Sequence, residues 1–284
     1  MSWYSNLVQS FQSRNVVEKF IILNILIFVL TYLFNTLSFL FQSNGNFIIE
    51  WFALGPDFDE LIFKPWTLIT YGFLHLGFLH ILFNMIFLYY FGILFTDFFN
   101  AKQFSTYYLT GIIAGGLIYM LSYNYLPVLK TQETILVGAS AGVTAIVIGI
   151  SSHIPQYSLR FRFIGNIKLL YLALAMIIWD VIQIPNGNAG GHLAHLGGAL
   201  VGFLMTRYFD QGRGLIAWFE NVFTKSEKKP LKTVYKNKGQ SAASGAKTQN
   251  DQERIDEILD KISKSGYETL SKAEKDFLFK AGKK

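Results

Sequence analysis

No cysteine occurs in the 284 residues, which excludes disulfides, thiolate catalysis and cysteine-ligated metals. Charge is scarce as well. Asp, Glu, Lys and Arg make up 15 % of the chain, against roughly 25 % in an ordinary soluble domain. Most Lys and Arg lie beyond Met205, so the first two thirds are more apolar than the average and the net +6 belongs mainly to the tail. A basic tail beside a membrane domain marks the cytoplasmic side rather than a nucleic-acid partner. No HExxH zinc motif is present. No small-residue cleavage motif follows the first apolar run, which therefore reads as an anchor that stays.

What is abundant is apolar sequence. Six stretches, about 20–42, 74–97, 104–126, 137–153, 166–184 and 192–209, each approach the ~20 residues that a helix needs to span a bilayer. The expected fold is an all-α polytopic membrane protein, a bundle of six transmembrane helices with a long external loop between helices 1 and 2. Arg14 and Lys19 precede the first span, Lys102 follows the second, Arg160, Arg162 and Lys168 separate the fourth from the fifth, and Arg207 and Arg213 follow the sixth. If the spans alternate, these fall on one side, with only Lys64 and Lys130 on the other. By the positive-inside rule both termini are cytoplasmic. A multi-pass protein of a bacterial plasma membrane is the expected setting.

Four regions follow. Residues 1–19 form a cytoplasmic N-terminal segment in which Trp3, Leu7, Val8 and Phe11 fall at helical spacing, as in an interfacial helix. Residues 20–210 hold the six spans. Within them, 43–73 carries Phe47, Trp51, Phe52, Phe63 and Trp66 with Pro56 and Pro65. That segment reads either as a re-entrant or interfacial element packed on the bundle or as a plain aromatic loop. Residues 211–253 read as a basic flexible linker. In 254–284, Ile255, Ile258, Leu259 and Ile262 follow helical periodicity, Gly266 ends that helix, and Ser271 with Glu274 forms a capping-box pattern for a second. This small cytoplasmic hairpin either docks a partner or the membrane, or is a tail with weak local structure.

Polar groups inside spans are costly and point to function. Here they cluster: His75, His80 and Asn84 on the second span, Ser140 at the start of the fourth, His192 and His195 at the start of the sixth. With both termini inside, spans two, four and six all start at the external face, so Ser140 and His195 share a depth and Asn84 lies one turn below His80 on the same face. A serine in a span often only bonds the carbonyl one turn back. The sequence Gly138-Ala139-Ser140-Ala141-Gly142 shifts that reading, although a G-x-S-x-G elbow usually follows a strand, and none is evident. Gly138, Gly142 and Gly149, like Gly198 and Gly202, also fit a close-packing face. Four histidines could bind a metal, but no Asp or Glu falls within the cluster, and Asp180 reads as a single solvated carboxylate near the interface. No metal and no cofactor are expected.

These motifs together resemble the rhomboid family of intramembrane serine proteases, over about residues 15–210. Pro65-Trp66 precedes His75-x4-His80-x3-Asn84, then come the serine motif and Ala194-His195-x2-Gly198-x3-Gly202. The resemblance implies Ser140 as nucleophile and His195 as general base, a Ser–His dyad, with His80, Asn84 and the Ser140 N–H as the oxyanion hole. It implies an endopeptidase that cuts transmembrane segments of single-span proteins near the external face, its partners being those substrates and the bilayer. The alternatives are a non-proteolytic member that binds client transmembrane helices, and a transporter. Three departures stand out: Ala141 intervenes in the usual G-x-S-G, Trp66-Thr67 replaces a Trp-Arg pair, and Thr144 stands where members often stack an aromatic on the histidine. What orients His195 is left open.

Overall fold

The computed structural model describes residues 3–43, 45–130, 132, 134–162, 165–217 and 245–281. The chain divides into two compact units, Met1–Lys225 and Ser226–Lys284. In the first, α1 (Trp3–Ser13) and α2 (Val16–Leu40) part at Asn15, whose side chain accepts from the Glu18 N–H and caps α2. Ile22, Leu26, Val29 and Leu33 of α2 are exposed. A long helix that turns such residues outward needs an apolar surrounding.

Helices α6 (Phe78–Thr96), α7 (Ala101–Tyr125), α8 (Ser140–His153), α9 (Leu169–Gln183) and α10 (Ala189–Arg207) occupy the remaining apolar stretches. Among the described residues four segments are long and apolar enough to cross a membrane: α2, α6, α7, and α9 with its short extension to Asn186. The molecule is therefore a mainly helical membrane protein. Helix α8 is apolar but has 14 residues, and α10 has 19 residues rich in glycine.

Between α2 and α6 the aromatic segment folds into α3 (Phe47–Phe52), α4 (Phe58–Phe63), α5 (Thr67–Thr70) and a single 3-10 turn, Tyr71–Phe73. Trp66 donates its indole N–H to the Trp51 carbonyl at 2.7 Å and stacks on that ring. The Thr70 hydroxyl donates to the Phe52 carbonyl. Phe47, Trp51 and Phe63 stay exposed. The segment is thus neither a span nor an unstructured loop, and α6 starts at Phe78, leaving His75 in the turn ahead of it.

Glycines set the centre of the bundle. A side chain at Gly198 of α10 would strike the Ala141 carbonyl of α8, and one at Gly202 the Ala145 carbonyl. A Cβ at Gly142 would lie 2.9 Å from the Tyr108 carbonyl of α7, and one at Gly197 would lie 3.0 Å from that of Ala114. Three helices can approach backbone to backbone only at such positions. Around this contact Tyr71, Tyr108 and Tyr119 are buried, and each hydroxyl donates to a carbonyl, of Ile112, Gly72 and Thr134 respectively. Those bonds tie the turns before α6 and α8 to α7.

Two features differ from the sequence expectation. Ser158–Phe161 (β1) and Gly165–Lys168 (β2) pair antiparallel between α8 and α9, where the sequence shows only basic residues separating two spans and announces no strand. The alternation Leu159, Arg160, Phe161, Arg162 suits a two-stranded ribbon. In the second unit, α11 covers Gly245–Ser265 and α12 Lys272–Ala281, so the hairpin starts ahead of residue 254. The run from Lys247 to Glu253 has no large apolar residue, so its helical period is silent. Much of the expected linker, 218–244, lies outside the described residues, while 213–217 are helical.

Candidate active site

The segment leading to Ser140 is held by backbone hydrogen bonds at Leu136, Gly138 and Ala139. Leu54 and Leu136 exchange backbone hydrogen bonds of 3.2 and 2.8 Å, the Gly138 N–H donates to the Tyr71 carbonyl at 3.0 Å, and the Ala139 N–H donates to Nε2 of buried His75 at 3.4 Å. No regular strand precedes the serine, yet this one bridge performs the task of one. Gly138 then adopts φ +128, a backbone angle that side chains resist, and the chain turns sharply into α8 with Ser140 as its first residue. At a helix start the N–H groups have no acceptor within the helix. The Ser140 N–H is therefore a donor aimed outward.

Gly138 also makes room. A Cβ there would lie 2.7 Å from Cε1 and 2.8 Å from Nε2 of His80, and 3.6 Å from Oγ of Ser140. The His80 ring and the serine hydroxyl thus flank one point of backbone. His80 packs edge-on against His75, ring centres 5.0 Å apart. One turn down α6, buried Asn84 donates one amide hydrogen to the His80 carbonyl at 2.9 Å. Its second amide hydrogen remains for another acceptor.

His195 shares a face of α10 with Gly198, the residue wedged against Ala141. The close approach of α8 and α10 that the small residues implied is what brings the His195 face to the start of α8. The His80 and His195 imidazoles also interact electrostatically. The Ser140 hydroxyl and the His80 ring thus lie on either side of Gly138, Asn84 sits one turn below His80, His195 lies on the helix that packs against Ala141, and His75 accepts from the Ala139 N–H.

Asp180 corrects the sequence reading. It is 6 % exposed, not solvated. Its Oδ1 lies 2.8 Å from Nδ1 of His192 and 2.8 Å from Nδ1 of His195. The cause is topological. Helix α9 ends at Gln183, and a turn through Ile184–Asn186 and Gly187 (φ +120) reverses the chain. Asn188 (φ +51) caps α10 by accepting from the Gly191 N–H. An antiparallel pair with so short a link sets a residue one turn before the end of α9 level with the first turns of α10. The signal was available, because an alternating topology puts the end of span five in the same layer as the starts of spans four and six.

The same trio, Asp180, His192 and His195, has donor atoms within 4.8 Å of one another. Asp180 thus joins the histidine cluster, so a metal is not excluded there by the lack of an Asp or Glu, as the sequence suggested. Thr144 is buried in α8.

A mainly helical membrane protein in which a serine at a helix start and a histidine ring flank one glycine defines the class to be compared. Residues 63–211 match the family model described as Rhomboid domain. The chain belongs to the rhomboid family. It is 30 % identical over 218 residues to RHOMBOID-like protein 12, mitochondrial, of Arabidopsis thaliana, covering 72 % of this chain and 62 % of the relative. It is 24 % identical over 173 residues to Rhomboid-like protease 3 of Toxoplasma gondii, covering 60 % and 61 %. Rhomboid-like protein 16, chloroplastic, of Arabidopsis thaliana is 29 % identical over 197 residues, covering 60 % and 61 %. The chain spans about three fifths of the length of these curated relatives. The mitochondrial and chloroplastic names run against the expectation of a bacterial plasma membrane. Residues 245–283 match a family of unknown function (DUF6576).

Proposed function

We propose that the chain is an intramembrane serine endopeptidase that cleaves single-span membrane proteins near the membrane face where α6, α8 and α10 begin. In this reading six helices cross the bilayer and both termini lie on the basic side. The observation that carries it is the pairing of Ser140 Oγ and the His80 ring across Gly138, with a histidine-bearing helix wedged against the next residue. His195 takes the Ser140 hydroxyl proton as Oγ attacks the scissile carbonyl carbon. The resulting oxyanion accepts from His80, Asn84 and the Ser140 N–H. Each such donor is worth about 3–4 kcal/mol in a water-poor site. Collapse breaks the C–N bond, and the leaving amine takes the proton from His195. Water, deprotonated by His195, then attacks the acyl carbon; the bond to Ser140 Oγ breaks as His195 returns the proton to Oγ, and a carboxylic acid leaves. The substrate helix must unwind locally, because helical carbonyls are already hydrogen-bonded.

The test is cleavage of a single-span substrate by the purified chain in liposomes. Ser140→Ala and His195→Ala should each lower the rate by at least about 10³-fold at unchanged expression. Full cleavage by either variant would overturn the assignment of Ser140 and His195, and no labelling of wild-type Ser140 by a fluorophosphonate probe would favour client binding without proteolysis.

A further inference from the structure

A histidine that serves as base at Nε2 must keep its proton on Nδ1 and its ring in one orientation. Thr144 offers no ring to stack on it. The group that reaches His195 is Asp180, whose Oδ1 lies 2.8 Å from His195 Nδ1 and 2.8 Å from His192 Nδ1. An ionised carboxylate oxygen has only acceptor capacity and can take two hydrogen bonds. Both Nδ1 atoms must then be the protonated ones, which leaves both Nε2 atoms as bases. The carboxylate is buried, and a buried charge persists only when it is paired and hydrogen-bonded. Two imidazole N–H groups from successive turns of α10 meet that demand.

We propose that Asp180 is the positioning residue of this site, turning the Ser140–His195 pair into a triad, and that His192 fixes the carboxylate from its other side. This rests on the serine-protease reading above. Asp180 holds the His195 tautomer and steadies the imidazolium that forms when Nε2 takes the serine proton; the proton stays on the ring and does not pass to the carboxylate. His192 shares the same oxygen, so it dilutes the hold of Asp180 on His195. The groups that face His195 are Asp180 from α9, His192 from its own helix and His80 from α6. Ser140 begins α8, and α7 contributes the Tyr119 and Tyr123 rings beside Gly190, farther up α10.

The experiment uses the full chain in liposomes and follows two readouts across pH: the rate of Ser140 labelling by a fluorophosphonate probe, and kcat and KM for a single-span substrate. Asp180→Asn should lower kcat and labelling by about 10²–10⁴-fold, with little change in KM. Its remaining activity should persist to lower pH, because the charge that favours the imidazolium is gone. Asp180→Glu should recover part of the rate. His192→Ala should lower the rate by less than about tenfold and move the acid limb the other way, to higher pH. An Asp180→Asn variant with the wild-type rate and profile would overturn the proposal. So would a loss of rate with no movement of the acid limb in either variant, which marks a merely structural carboxylate. A profile that depends on removal of metal by a chelator would assign the trio to a cation and overturn it too. If Asp180→Asn does not fold, the His192→Ala limb decides: no shift overturns the proposal. Failure of wild type to label at all is a separate result, the failure of the protease reading.

Discussion

At the scale of single residues, the smallest side chain sets the tightest distances. Gly198 stands where α10 touches the backbone of α8 at Ala141, so a methyl group there must push two helices apart. Gly198→Ala gains helix propensity of about 1 kcal/mol yet overpacks a site with no flexible neighbour, a cost of about 1–3 kcal/mol. The expected outcome is a lower thermal midpoint in detergent and slower Ser140 labelling, since His195 lies one turn away. Gly214→Ala is the control: nothing lies within 4 Å of its would-be Cβ, and its midpoint should hold or rise. Residue identity made part of this legible in advance. A serine between glycines, and histidines in apolar sequence, are costly enough to be conspicuous. Asp180 was not, because a carboxylate at a span end has an ordinary explanation in solvent, and only the turn at 184–188 shows otherwise.

At the scale of elements, helices were legible where apolar periodicity or length forced them, as in α2, α6 and α7. Their starts were less so: α6 begins at Phe78 because the chain through His75 is held by the Ala139 N–H and by neighbouring turns rather than by helical bonds. The β1–β2 ribbon is short, and its pairing depends on a turn that no motif announces. In the second unit the capping box was read correctly and shows a further layer. Glu274 accepts from the Ser271 N–H and hydroxyl at the start of α12, and Lys261 of α11 donates to it at 2.9 Å. Lys261 above all, then the Ser271 bonds, hold the Glu274 carboxyl down from 4.5 to about 2. A depressed acid stabilises the fold above its unfolded value, and that contribution is lost as pH falls from about 4.5 toward 2. Hydrogen exchange on the full chain between about pH 2 and pH 6 should show protection in 272–281 falling once pH drops below about 4.5. Glu274→Gln should be less protected at neutral pH and lack that step. An identical pH response in the variant would remove Glu274 from the account.

At the scale of the whole molecule, the question is which helices cross. Helix α8 has 14 residues, about 21 Å at 1.5 Å per residue, while the hydrocarbon core is about 30 Å thick. If α8 crosses as proposed, with His153 near the basic face, its other end falls short of the opposite surface by the difference, about 9 Å, and Ser140 is recessed there. Backbone that is not helical is tolerated at such depth only where the protein pairs it. The approach through Leu136, Gly138 and Ala139 is paired in that way, with Leu54, Tyr71 and His75. A short α8 that crosses therefore puts the serine below the surface while leaving water a way in from one side. The absence of cysteine makes this testable without background. Asp59→Cys, Lys102→Cys, Lys130→Cys and Arg160→Cys each give the chain one thiol at an exposed position. A membrane-impermeant maleimide should reach residues 59 and 130 from one side of sealed vesicles, and residues 102 and 160 from the other. The pair 130 and 160 brackets α8 itself. If both label from the same side, α8 does not cross, and Ser140 loses the recessed position on which an intramembrane site depends.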